Sequence, residues 1–391
     1  MKENWTYKKL GEVCQVLNGY AFQSDKYTSS GIRVIRITNV QKGIIIDDDP
    51  KFYPIGEIKK LQQYSLRAND LLMSLTGNVG RVGLLSESML PAALNQRVAC
   101  LRIIDDSLQI RYIFHLLNSQ NFEENAIFSA AGIAQKNIST EWLKKYVIPI
   151  PPMEEQERIV AELDLLQSVI DKKKAQLDEY DKLAQSIFYE MFGDPIDNPK
   201  KWEVKKLGDE CSEIRYGTSK PACENGKYKY LRMGNITNDG FLDLSNIKTI
   251  DIPDDEVEKC VVRYGDILFN RTNSLDLIGK TCMFDLEEPM IIAGYIIRVR
   301  LSKKLMPRYV STMFNIPSMK LHLKKMAKGA VNQANINSKE LASIIIPLPP
   351  LSLQQSFAEK IEAIEHLKEL VKQSLNEVKT LFDSRMDYYF N

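Results

Sequence analysis

The six cysteines of this 391-residue chain, Cys14, Cys100, Cys211, Cys223, Cys260 and Cys282, never approach C-x-x-C spacing, which argues against a zinc site. Three histidines, His115, His322 and His366, are too few and too scattered for a His-rich metal site. No stretch approaches the roughly 20 apolar residues needed to cross a bilayer. No apolar run follows the initial basic residue, so no secretory signal is expected. These absences lead to the expectation of a reduced, soluble, cytoplasmic protein. Neither a Gly-x-Ser-x-Gly nucleophile elbow nor a glycine-rich loop of the dinucleotide type occurs.

What the chain does contain is a long internal repeat. Trp5-x-x-Lys8-Lys9-Leu10-Gly11-x-x-Cys14 returns as Trp202-x-x-Lys205-Lys206-Leu207-Gly208-x-x-Cys211. Asn137-Ile138-x-x-x-x-Leu143, followed by Ile148-Pro149-x-Pro151-Pro152-x-x-x-Gln156, returns as Asn335-Ile336-x-x-x-x-Leu341 followed by Ile346-Pro347-x-Pro349-Pro350-x-x-x-Gln354. A register of 197 to 198 residues held at both ends means two copies of one unit, each a globular part followed by a long helix. The length is also right for two cores rather than one. The expected order is a globular domain over 1–152, a helix over 153–192, a second globular domain over 193–350 that begins with a short linker, and a helix over 351–391.

The formal net charge of +1 conceals a division along the chain. Residues 1–152 carry 18 Lys and Arg against 14 Asp and Glu, and residues 200–350 carry 24 against 18. The helical segments are acidic, with 5 against 10 in 153–192 and 5 against 7 in 351–391. Basic globular parts on acidic connectors favour contact with a polyanion, although ordinary surface variation also produces excesses of this size.

In the first helix the apolar positions Ile159, Leu163, Leu166, Ile170, Leu177, Tyr180, Ala184, Ile187 and Met191 alternate steps of four and three, and Lys173 interrupts them. The second runs Phe357, Ile361, Ile364, Val371, Leu375, Val378 and Phe382, interrupted by Lys368. This is a coiled-coil pattern; a lysine in a seam commonly fixes register at a cost in stability, although a surface helix lying on its own domain would tolerate it too. The prolines before each helix force an extended lead-in, and Gly193-Asp194-Pro195 ends the first. About 38 residues of helix measure roughly 57 Å. Antiparallel pairing of the two helices, with a globular module near each end, is the expected arrangement.

The globular halves read as mixed α and β. Ile32 to Val40 and Tyr228 to Ile236 are predicted as strands, as are the stretches from Asp70 to Ser74 and from Asp266 to Asn270. Helical stretches are predicted from Arg111-Tyr112 to near Gly132 and from Arg308-Tyr309 to near Gly329. Polar loops are predicted at Gln135-Lys136-Asn137 and Asn332-Gln333-Ala334-Asn335. Asn and Gln can bond adenine bidentately, Arg and Lys can bond guanine, and Ser, Thr, Tyr and Lys can position phosphates. The positions shared by the two halves are apolar or conformational, whereas the loops differ. Asn78-Val79-Gly80-Arg81 has no close counterpart, and Asn95-Gln96-Arg97 faces Gly294-Tyr295-Ile296. One skeleton with two sets of loops would read two different sequences, and duplex DNA is the leading candidate target.

Enzymatic readings fail on particular residues. Gly279-Lys280-Thr281 looks like the end of a phosphate-binding loop, but Ser274 stands where that loop requires glycine. Asp197 with Glu203-Val204-Lys205 superficially resembles a nuclease cluster. Glu203 nevertheless lies in the repeated scaffold opposite Thr6, and Asp197 lies in the linker.

Taken together, the doubled Trp-x-x-Lys-Lys-Leu-Gly openings, the Asn-Ile-x-x-x-x-Leu segments, the Ile-Pro-[Ile/Leu]-Pro-Pro-x-x-x-Gln motifs and the long helices resemble the specificity subunit of type I restriction-modification systems, over essentially the whole chain. The resemblance implies an α+β chain with two pseudo-repeated target recognition domains, each a mixed sheet plus helices, separated by two long antiparallel coiled-coil helices. It also implies a non-catalytic subunit that reads a bipartite, asymmetric double-stranded DNA site. Its helices would set the gap and dock two modification (methyltransferase) subunits, joined by restriction subunits. S-adenosylmethionine, ATP and Mg would bind those partners, with no cofactor on this chain and no membrane contact.

Loop chemistry and position select Tyr20, Lys26, Arg36, Asn78, Arg81, Gln96, Arg97, Gln135 and Lys136 as DNA-binding candidates in the first half. In the second they select Tyr216, Lys220, Arg232, Arg271, Thr272, Asn273, Lys280, Gln333 and Asn335. The alternatives are a coiled-coil scaffold with two protein-binding heads, or a fused or solitary restriction enzyme of type II character.

Overall fold

The computed structural model describes residues 4–130, 137–330 and 333–391, with Ala330 and Gln333 described by their backbone only. The chain forms two compact units, Met1–Lys174 with Gln373–Asn391, and Ala175–Lys372. Each unit joins one globular head to the adjoining part of its own long helix and to the far end of the other.

The first head is built on a four-stranded antiparallel sheet in the order Cys14–Asn18, Val98–Ile103, Leu71–Ser74, Val82–Leu84. Side chains alternate along a strand, so a sheet covered on both faces needs apolar residues at every position. Leu71, Met73 and Ala99 pack towards Tyr112 and Ile113 of the helix Ile110–Leu117. Leu72, Val98 and Cys100 pack towards Ile35, Ala92 and Leu94 of a smaller sheet, in which Ile32–Ile35 pairs in parallel with Ala92–Leu94. The second head repeats the plan with Cys211–Tyr216, Ile296–Leu301, Ile267–Asn270 and Thr281–Met283.

The repeated motifs are structural clamps. Trp5 and Trp202 lead into short edge strands, Thr6–Lys9 pairing Val147–Ile150 and Val204–Lys206 pairing Ile345–Pro347. Gln156 and Gln354 are fully buried. The Gln156 amide oxygen accepts from the Gln109 backbone N–H at 2.9 Å, and its NH₂ donates to the carbonyls of Ser107 and Pro151. Gln354 repeats this with Met306, Lys304 and Pro349. A single buried amide therefore fastens the proline lead-in to the head and starts the long helix.

Three local expectations are corrected. The strands beginning at Ile32 and Tyr228 stop at Ile35 and Leu231 and turn into the 3₁₀ segments Ile37–Asn39 and Met233–Asn235. Buried Asn39 and Asn235 cause the turn, accepting from the Arg36 and Arg232 backbone N–H groups at 2.9 Å and donating to the carbonyls of Ile46 and Asp243. The helical stretches are broken in two, at Asn118-Ser119 and at Ile316-Pro317. Ser119 caps a new helix and Pro317 opens one. Gly132, where the first stretch is predicted to end, lies outside the described residues. Gln333–Asn335 is a strand rather than a loop, pairing both Lys328–Ala330 and Thr272–Asn273.

The long helices run Met153–Phe192 and Leu351–Phe390. In the first unit Arg385 pairs with Glu162, and the Arg158 guanidinium lies 5.8 Å from the Tyr389 ring, so the helical segments there run antiparallel. In the second, Lys368 pairs with Asp181 and the rings of Phe188 and Phe357 lie 5.6 Å apart, again antiparallel. Lys368, the lysine interrupting the second stripe, is thus buried with a carboxylate partner. The expected stripe drifts at the helix end. Ala184, Ile187 and Met191 are half-buried, while Phe188 and Phe192 are completely buried against the second head. Among the described residues no helix is long and apolar enough to cross a membrane.

Candidate nucleic-acid interface

Antiparallel pairing places the C-terminal ends of Cys14–Asn18 and Leu71–Ser74 beside the N-terminal ends of Val98–Ile103 and Val82–Leu84. The loops leaving these strands therefore meet at one end of the sheet. The Gln96 backbone N–H donates to the Tyr20 carbonyl at 3.0 Å, and Leu75 N–H donates to the Arg97 carbonyl at 3.0 Å. Gly19 makes the approach possible, since a Cβ there would lie 2.2 Å from the Asn95 backbone. The Asn95 side-chain oxygen accepts from Arg97 N–H at 3.1 Å and sets the loop's shape. Arg36 joins from the small sheet, because Asn95 N–H donates to the Ile35 carbonyl at 3.2 Å.

Within this group Asn78, Gln96 and Arg97 are exposed, while Tyr20, Arg36 and Arg81 are half-buried. The Arg36 guanidinium bonds the Asp49 carbonyl at 2.6 Å and its carboxylate at 3.2 Å. Hydrogen bonds from Lys51 and Arg36 hold the Asp49 carboxyl below the usual carboxylate range. Arg81 donates to the Gln41 amide oxygen. Lys26 is exposed on the turn Ser24–Lys26, and among the described residues no hydrogen bond or ion pair ties its side chain to the cluster. Gln135 and Lys136 lie outside the described residues.

The second head assembles its candidates at the corresponding end. Gly217 repeats the role of Gly19, a Cβ there meeting the Ile292 carbonyl oxygen at 2.0 Å. The Arg271 guanidinium lies 4.8 Å from the Tyr216 ring and donates from Nε to the Asn335 amide oxygen at 3.1 Å; Thr272 Oγ1 donates to the same oxygen at 3.0 Å. Asn270 N–H donates to the Lys280 carbonyl at 2.8 Å, bringing the half-buried Lys280 alongside. The Asn273 side-chain oxygen accepts from Ser274 N–H at 2.9 Å. Arg232 bonds the Asn246 carbonyl at 3.0 Å, and the Lys220 ammonium pairs with Glu256 at 3.0 Å. The Gln333 side chain lies outside what is described.

The two clusters hold the same place and different chemistry. The first offers amides and a guanidinium that have no side-chain partner among the described residues, on a tightly bonded loop; the second ties its arginine, threonine and asparagine into one network beside a tyrosine. Both inventories can donate to purine edges and to phosphates. Two features escaped the sequence reasoning. Tyr295, 57% exposed, stands at the apex of the loop equivalent to Gln96-Arg97, as the alignment of those two loops signalled. The turn containing Lys59, Lys60, Gln62 and Gln63 touches the first cluster through Tyr64, whose ring lies 5.3 Å from Tyr20. Among the described residues no group of three or more His, Cys, Asp or Glu side chains is placed to hold a metal ion.

Comparison with known proteins assigns the architecture. The family model described as type I restriction modification DNA specificity domain matches twice, over residues 2–179 and 199–380. This chain belongs to that family. The specificity subunit of the type I restriction enzyme EcoKI from Escherichia coli strain K12 is 23% identical over 398 residues, covering 96% of this chain and 85% of that one. In fold, the chain is similar to one from a structural study of complex assembly and conformational transition of the type I R-M system, with a TM-score of 0.57, 20% identity and coverage of 100% and 98%. It is also similar to the crystal structure of the type I S subunit from M. genitalium, with a TM-score of 0.55, 15% identity and coverage of 98% and 95%.

Proposed function

We propose that this chain is the DNA-reading, non-catalytic subunit of a cytoplasmic type I restriction-modification complex, each head reading one part of a bipartite, asymmetric duplex site. The observation that carries this reading is the pair of loop clusters, built at the same end of two copies of one sheet from different side chains. The long helices set the number of unread base pairs between the two parts and dock two modification subunits, with restriction subunits joining them. Acidic faces such as those of the helix Met153–Phe192 are poor ligands for phosphate and suit protein contact. S-adenosylmethionine, ATP and Mg²⁺ belong to those partners.

The purified chain incubated with duplex DNA, Mg²⁺ and S-adenosylmethionine is expected to neither cut nor methylate, and to support methylation once modification subunits are added. Cleavage or methyl transfer by the chain alone would favour a self-contained restriction enzyme. A chain that retained no duplex, with or without those subunits, would favour a scaffold with protein-binding heads.

A further inference from the structure

Each loop cluster lies between two flanking elements, and the two heads carry opposite charge on them. The first flank precedes the central core strand. In the first head it comprises the turns Ile55–Glu57 and Gln62–Tyr64, with Lys59 and Lys60 between them and Glu57 as its single acid. In the second head the same stretch is the helix Asp254–Cys260, with four acids against Lys259. The other flank is the helix that follows the break in each helical stretch. Gln120–Ser129 carries Glu123 and Glu124 and no Lys or Arg, whereas Pro317–Met326 carries Lys320, Lys324 and Lys325 and no acid.

Both basic flanks touch their clusters. In the first head Tyr64 packs on Tyr20, whose carbonyl holds Gln96, on the side of the edge strand Cys14–Asn18. In the second, Lys324 pairs at 2.9 Å with Asp276, three residues beyond Asn273. The helix leads into Lys328–Ala330, which is joined through Gln333–Asn335 to Thr272–Asn273, on the opposite side of the cluster. The acidic flanks engage carboxylates with lysines of their own heads, Glu256 with the cluster candidate Lys220 at 3.0 Å and Glu123 with Lys42 at 2.6 Å, and among the basic flanks Lys60 pairs with Glu57 at 3.2 Å, so what separates the flanks is the sign of their net charge.

We infer that the heads grip the phosphate backbone with opposite flanks of the same scaffold, the first with the Lys59–Gln63 turn and the second with the helix bearing Lys324 and Lys325. This rests on the DNA reading above and adds to it an orientation for each head on its half-site. The loop clusters carry sequence discrimination, and the flanking lysines add affinity that is uniform across sequences and sensitive to salt. Taking one lysine away from a phosphate lowers the slope of log affinity against log salt by about 0.9.

The test uses the full chain with its modification subunits, binding a fluorescent duplex that carries the methylated site and a second duplex of scrambled sequence, across a salt series. K59E/K60E and K324E/K325E are each expected to bind both duplexes about tenfold or more weakly near 0.1 M salt, with the salt slope reduced by about 2 and the methylated sequence unchanged. E123Q/E124Q and D254N/D255N are expected to stay within about twofold of the parent. Unchanged slopes in either lysine variant, while the parent still binds its site specifically, would overturn the inference and leave the DNA reading standing. Tightening by either neutralised pair as large as the weakening in the lysine variants would also overturn it, since both flanks would then face the duplex. A parent complex that binds neither duplex would overturn both. Unaltered thermal melting of the variants separates these outcomes from misfolding.

Discussion

Phe192→Ala is expected to destabilise the second unit by about 3–5 kcal/mol, read as a shift of its transition in urea unfolding followed by fluorescence. Phe192 is 1% exposed, and its ring centroid lies 4.7 Å from Tyr309, 5.1 Å from Phe188 and 5.2 Å from Phe357. Deleting the ring strips packing from all of these neighbours and leaves a cavity that helices fastened at both ends cannot close. The Tyr309 hydroxyl is held separately by the Pro347 carbonyl at 3.0 Å, so that ring cannot swing in to fill the space. The first unit uses the same device with Phe390 against Tyr112, at 5.7 Å, and the Tyr112 hydroxyl on the Pro149 carbonyl. Leu183→Ala, on the exposed side of the same helix, is expected to cost no more than about 0.5 kcal/mol. Equal losses at the two positions would mean that the helix end is not docked as described.

Glu213→Ala is expected to cost the second unit about 3 kcal/mol. Arg298 is completely buried in the strand Ile296–Leu301, in register with Cys100 of the first head, and burial pulls its pKa below the ordinary arginine value. Its two terminal nitrogens bond the Val261 carbonyl and the Glu213 carboxylate, while Nε is buried without a partner among the described residues. The same carboxylate takes Arg300 at 3.1 Å and Arg215 at 2.6 Å. Without it three guanidinium groups face one another, one of them cut off from water. Breaking a buried pair costs about 3–5 kcal/mol, and the lower end applies because Glu213 keeps 22% side-chain exposure. Adding Arg298→Met to the Glu213→Ala chain is expected to restore most of the loss, because it removes the stranded charge. A double variant no more stable than Glu213→Ala would show that the charge is not the cause.

Legibility from sequence followed the range of the interactions. The duplication was visible because Leu10, Leu207, Gln156 and Gln354 do the same local work in each copy, and local work leaves the same residues at the same spacing. The coiled-coil stripe was visible through Ile159, Leu163, Ile361 and Ile364, which are buried. It misled at Phe188 and Phe192, since the buried side of the helix rotates where it packs on a head as well as on Phe357 of its partner helix. Asn39 and Asn235 sit inside β-branched runs, and nothing local announces that each will be buried and end its strand. The candidate loops were recognisable as polar segments beside apolar runs. Their convergence depends on strand order, which sets Cys14–Asn18 beside Val98–Ile103 although the two are far apart in sequence. The opposite charge of Lys59-Lys60 and Asp254-Asp255 was written in the sequence, and it acquires meaning only once both stretches are seen to flank equivalent clusters.

The central claim is that two structurally alike heads read two separate parts of one DNA site. Methylome sequencing of a host carrying this chain with residues 1–150 replaced by the corresponding head of a relative tests it most directly. One part of the methylated sequence is expected to change, with the other part and the intervening gap retained. Change in both parts at once, or in neither, would contradict the account.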